Sequence, residues 1–165
     1  MQPCGGTSVV PETKEEKKMV KNYTSSVPAS RSVQHIEDVL IRNGAKLINK
    51  MIENGKLYGI AFIVSVNGLD IPFRLPARIS NVEKILKAQV KRPRNGTMEN
   101  ISAQAERTAW KLLSDWVDIQ CSLIEMQQVK FTEVFLPYMY DPSSKQTFFE
   151  KVEENNFRQL IFKVI

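Results

Sequence analysis

Two Asn-Gly pairs, Asn54-Gly55 and Asn67-Gly68, punctuate a stretch rich in β-branched and apolar residues. Asn-Gly suits the tight turn whose two central residues both need positive φ, so each pair predicts a hairpin of defined register. Two consecutive hairpins make a three-stranded antiparallel meander. A two-residue turn at Asn67-Gly68 sets Val66 opposite Leu69, Val64 opposite Ile71, Phe62 opposite Phe73 and Ile60 opposite Leu75, and every pair is apolar. The alternate positions of the third strand, Asp70, Pro72, Arg74 and Pro76, are polar or lack an amide donor. That strand is therefore expected at a sheet edge with one face wet, and the other face needs helices.

Helical periodicity supplies them. Val33, Ile36, Val39 and Leu40 recur behind Ser32, an N-cap residue type, and predict a helix to about Asn43 that Gly44 ends. A second helix is expected from Asn81 to about Arg92, with Val82, Ile85, Leu86 and Gln89 on one side. The longest runs from about Glu99 to Met126, where Ala109, Leu112, Leu113, Trp116, Val117, Leu123 and Ile124 line an apolar face. Trp110 and Trp116 read as core on this helix. A short helix around Thr132 to Met139, broken at Pro137, and another from Ser144 onward finish the chain. The fold class is α+β: a three-stranded antiparallel β-meander packed on one face by a long central helix and several shorter helices. The divisions are a flexible N-terminal arm over 1–28, where Gly, Pro and alternating charges show no apolar face, an α+β domain over 29–140, and a C-terminal helical extension over 141–165.

Several functional classes find no support. The longest apolar run, Ile60 to Val64, falls far short of the about 18 residues of a membrane span, and no signal-peptide pattern opens the chain, so a cytoplasmic address is expected. Cys4 and Cys121 are distant and read as reduced thiols, with Cys121 a small buried apolar group. One histidine, His35, and two separated cysteines do not assemble a soft-ligand metal cluster. Asp115 and Asp118 share a helix, but Lys111 stands four residues before Asp115, which predicts a surface ion pair there. Phosphate-cradling glycine motifs and nucleophile elbows are missing. The expectation is a binding protein without a catalytic site, metal or cofactor.

One segment stands above background. Lys84, Lys87, Lys91, Arg92 and Arg94 give five basic residues with no acidic one up to Gly96, in a chain of net charge +5. Lys84, Lys87 and Lys91 fall at i, i+3 and i+7, on one helix face, and a basic turn follows. Arg74 and Arg78 extend the set upstream. A basic helix-loop of this kind grips phosphate backbones, because several cations release condensed counterions without demanding exact base geometry. DNA or RNA is the expected partner, although aromatic residues suited to base stacking are missing from the segment. Near the C-terminus, Phe157, Leu160, Ile161 and Val164 fall at i, i+3, i+4 and i+7 and predict an apolar contact between copies in a homo-oligomer.

The block from about Ile36 to Tyr140 carries Phe73-Arg74-Leu75-Pro76, Gln104-Ala105-Glu106-Arg107-Thr108-Ala109-Trp110, Asp115-Trp116-Val117 and Glu133-Val134-Phe135-Leu136-Pro137-Tyr138. By these words it resembles a group of small tailed-phage proteins with no assigned activity. The resemblance implies a phage or mobile-element origin and a role in phage DNA metabolism or in blocking a host system. The alternative to nucleic-acid binding is accordingly an inhibitor or adaptor that binds a host protein.

Overall fold

The computed structural model describes residues 21–22, 24–90 and 95–158. Helix α1 (Ala29–Arg42) leads into strands β1 (Ala45–Glu53), β2 (Lys56–Val66) and β3 (Leu69–Pro76). Helices α2 (Ile79–Gln89) and α3 (Thr97–Glu125) follow, then α4 (Phe131–Phe135) and a 3-10 turn at Leu136–Tyr138. Two short strands, β4 (Tyr140–Asp141) and β5 (Gln146–Thr147), precede α5 (Phe148–Glu154). The expected α+β class and antiparallel order β1-β2-β3 are both present.

Both Asn-Gly pairs turn as their chemistry requires, with positive φ at Asn54, Gly55, Asn67 and Gly68. The register across β2 and β3 is the anticipated one, including Phe62 opposite Phe73 and Ile60 opposite Leu75. Pairing of β1 with β2 is interrupted between Ala45 and Leu47 and between Met51 and Ile52. Gly59 has a separate reason to be glycine: a Cβ there would stand 2.9 Å from the Leu75 carbonyl oxygen.

The core lies between one face of the sheet and helices α1, α3 and α4. Ile60, Phe62, Phe73 and Leu75 meet Ile36 and Leu40 of α1, Trp110, Val117 and Cys121 of α3, and Phe135 of α4. A second, smaller cluster of Leu86, Ile101 and Ala105 fixes α2 to the start of α3.

Three expectations need correction. The first helix starts at Ala29 and not at Ser32, with Pro28 as its N-cap and no side-chain cap. Proline's fixed φ and extended ψ break the helical path at Pro28, and Ser32 sits buried inside the first turns with Oγ unpartnered. The helix expected from Ser144 is preceded by a hairpin, because Asp141 accepts from the Ser143 amide at 2.9 Å and from the Ser143 and Ser144 hydroxyls, and Lys145 takes positive φ. Helix α5 then starts at a reciprocal cap, Thr147 Oγ1 accepting from the Glu150 amide while the Thr147 amide donates to the Glu150 carboxylate. Phe157 lies beyond α5 at positive φ, so the helical spacing does not reach it from Ser144.

The end of the segment read as an arm runs along α3. Asn22 donates to Asp115 at 2.8 Å, Thr108 donates to the Asn22 carbonyl, and Gln104 donates to the Ser25 carbonyl. Residues 1–20 lie outside the described residues. No helix among those described is long and apolar enough to cross a membrane.

The close approach at Gly59 yields a test. Gly59→Ala should lower unfolding stability by about 1–3 kcal/mol, because the added methyl forces β2 from β3 where both are tightly packed. Chemical denaturation of the two proteins measures the difference.

Candidate nucleic-acid interface

Helix α2 packs through Leu86, which is buried, and turns Lys84 and Lys87 to solvent. Ile85, expected on the packed side, is 48% exposed, so the buried stripe of α2 is narrower than its sequence suggests. Lys87 forms an ion pair with Glu83 at 2.8 Å, one turn back on the same helix. An exposed pair of this kind is worth little, so it leaves the ammonium free to exchange partners. Lys84 makes no ion pair among the described residues. Helix α2 ends at Gln89 with Val90 extended, short of the expected end near Arg92, so the helix face expected to carry Lys91 stops before it. Lys91, Arg92 and Arg94 lie outside the described residues.

Arg78 immediately precedes α2 with φ +44, a left-handed backbone that few non-glycine residues adopt. Its side chain is exposed and makes no hydrogen bond or ion pair among the described residues. It stands with Lys84 as an exposed cation outside any ion pair, its charge acting on Glu150 at longer range.

Arg74 does not join them. Its guanidinium reaches Glu150 at 2.5 Å, donates to the Lys145 carbonyl at 3.3 Å and lies 4.9 Å from the centre of the Tyr140 ring. With its side chain only 14% exposed, Arg74 ties the C-terminal hairpin and α5 to β3. The alternation that placed it on a wet face was right about direction, but the C-terminal segment covers that part of the sheet. Partial burial pushes the Glu150 carboxyl up, yet the Thr147 amide, the charge of Arg74, the Thr147 hydroxyl and the charge of Arg78 more than offset this and hold it below its ordinary value.

The other candidates separate cleanly. Lys111 pairs with Asp115, and His35 approaches Asp118 at 3.4 Å. Among the described residues no group of three His, Cys, Asp or Glu side chains is placed to hold a metal. Cys121 is buried, and burial, with Glu125 and Asp118 nearby, pushes its thiol up to about 11, so it is protonated at neutral pH. Trp110 is fully buried, while Trp116 packs edge-on against Phe135 and beside Tyr138. Of the expected oligomer contact, Phe157 is 46% exposed with its ring 6.3 Å from Phe149, and Leu160, Ile161 and Val164 lie outside the described residues.

Sequence reasoning missed the aromatic residues near the basic set. Tyr58, Tyr138 and Phe149 line clefts that also contain Arg78. They come from a strand, a 3-10 turn and a terminal helix, and no spacing in the sequence links them. No family model, curated protein or solved structure matches this chain.

The lowered Glu150 carboxyl makes a pH prediction. Its stabilising contribution should be fully present above the ordinary glutamate value of 4.5 and should fade as pH falls through the lower folded value. Glu150→Gln should cost about 1 kcal/mol at pH 7, discounted for its partial exposure, and the gap from the parent should close in strong acid. Thermal unfolding at a series of pH values measures it.

Proposed function

We propose that the protein is a non-enzymatic nucleic-acid-binding protein, encoded by a phage or other mobile element, that grips phosphates through α2 and the residues following it. The run from Lys84 to Arg94 carries this reading, being wholly basic at its charged positions. The exposure of Lys84, Lys87 and Arg78 supports it. Cations of this sort attract any polyanion, and their arrangement along a helix and its flanks suits the repeating charge of a nucleic-acid strand. Phosphate contacts hold a strand in place without reading its bases, so affinity falls with salt and varies little with sequence.

Replacing Lys87, Lys91, Arg92 and Arg94 by alanine should leave folding intact and weaken oligonucleotide binding. Each phosphate contact contributes about 0.7–0.9 to the slope of log affinity against log salt, so losing roughly three should flatten it by about two. Fluorescence anisotropy titrations at several salt concentrations read both quantities. Unchanged affinity and slope in the four-alanine protein would remove the basic face as the binding site.

A further inference from the structure

Two clefts meet at Arg78. One, of about 410 Å³, is walled by Tyr138, Phe149, Leu113 and Pro76. The other, of about 440 Å³, contains Tyr58 and Lys56 and shares Pro76 and Arg78 with the first. Both volumes fall within the ~300–1,000 Å³ of small-ligand sites. Phe149 is 38% exposed and Tyr58 37% exposed, so each cleft offers accessible aromatic surface.

We infer that this pair of clefts receives two neighbouring bases of a single-stranded nucleic acid, with the intervening phosphate on Arg78. The inference rests on the nucleic-acid reading above and names the form of nucleic acid that the site takes. Three observations single out that occupant. The guanidinium between the clefts makes no hydrogen bond or ion pair among the described residues, although its charge acts on Glu150, so its donors are open to an anion. Aromatic side chains stand on either side of it, where a base has a π-face to offer and a paired duplex keeps that face stacked away. The second cleft is also lined by Ile79, Ser80 and Glu83 of the first turns of α2, the helix that carries Lys84 and Lys87.

The clefts carry charges of both signs. Glu150 in the first pairs with Arg74, and in the second Glu83 pairs with Lys87 while Glu53 and Lys56 also line the wall. Stacking on an aromatic ring tolerates any base, and a guanidinium on a phosphate reads none, so the site binds single strands without a strict sequence preference.

The full chain is titrated with a fluorescein-labelled oligo(dT) and with a labelled duplex of equal length, at several salt concentrations. Single strand should bind at least about tenfold tighter than duplex. Tyr58→Ala and Phe149→Ala should each weaken single-strand binding by about 5- to 150-fold, the range for loss of one stacked base, with the salt slope unchanged. Tyr58→Phe and Phe149→Tyr should restore binding. Arg78→Gln should reduce the slope by about one. Tyr58→Leu and Phe149→Leu keep apolar volume without the π-face, and should lose affinity even if the alanine proteins unfold. Equal or better binding of duplex, or full single-strand affinity in the leucine proteins, overturns the base clefts and leaves the basic face standing. Failure of the parent protein to bind either oligonucleotide overturns both readings.

Discussion

Phe62 and Phe73 face each other across β2 and β3 with ring centres 5.4 Å apart, and Phe131 and Phe135 close over them edge-on. Most of the architecture follows from this contact. It joins the meander to α4, and Phe135 in turn meets Trp116 of α3, so sheet and long helix share one aromatic cluster. Edge-to-face rings add about 0.5–1.5 kcal/mol beyond the area they bury. The cluster exists only in the register set at Asn67-Gly68: a slip of one residue would turn Phe62 to the opposite face from Phe73.

The same sheet has a second face, and there the constraint is electrostatic. Arg74 occupies an alternate position of β3, and its planar guanidinium meets a carboxylate, a carbonyl and the Tyr140 ring together. Glu150 accepts from Arg74 and from the Thr147 amide, so one carboxylate both starts α5 and anchors it to the sheet. A lysine would supply the charge but not the planar fork or its stacking on tyrosine. This link brings Phe149, the residue before Glu150, to the cleft beside Arg78. Structural and candidate binding roles are thus divided between two nearby arginines: Arg74 holds the segment in an ion pair, and Arg78 makes none among the described residues.

Much of this was legible in the chain. Asn-Gly turns are local chemistry, and alternation over short strands is local geometry, so the meander and the β2–β3 register followed directly from the two turns and the strands beside them, while the interruptions in β1–β2 pairing did not. The long amphipathic pattern located α3 within two residues at its start and one at its end, from Glu99 and Met126 to the observed Thr97–Glu125. Where local signals conflicted, the reading failed. Ser32 has cap chemistry, but Pro28 starts the helix. The residues after Asp141 have helical periodicity, but side-chain bonds from Ser143 and Ser144 to Asp141 close a turn first.

By itself, then, the sequence determined the α+β class, the register of β2 against β3 and the exposure of Lys84 and Lys87 on α2. Each depends on neighbours a few residues apart, whose relation is set by the helix and strand periods. The tertiary structure alone decided that Arg74 is a strut and that Tyr58, Tyr138 and Phe149 gather around Arg78. Those pairings join residues from separate elements, and their distance is a property of how the helices lie against the sheet. Periodicity orients a side chain relative to its own element, and only packing decides what that side chain meets.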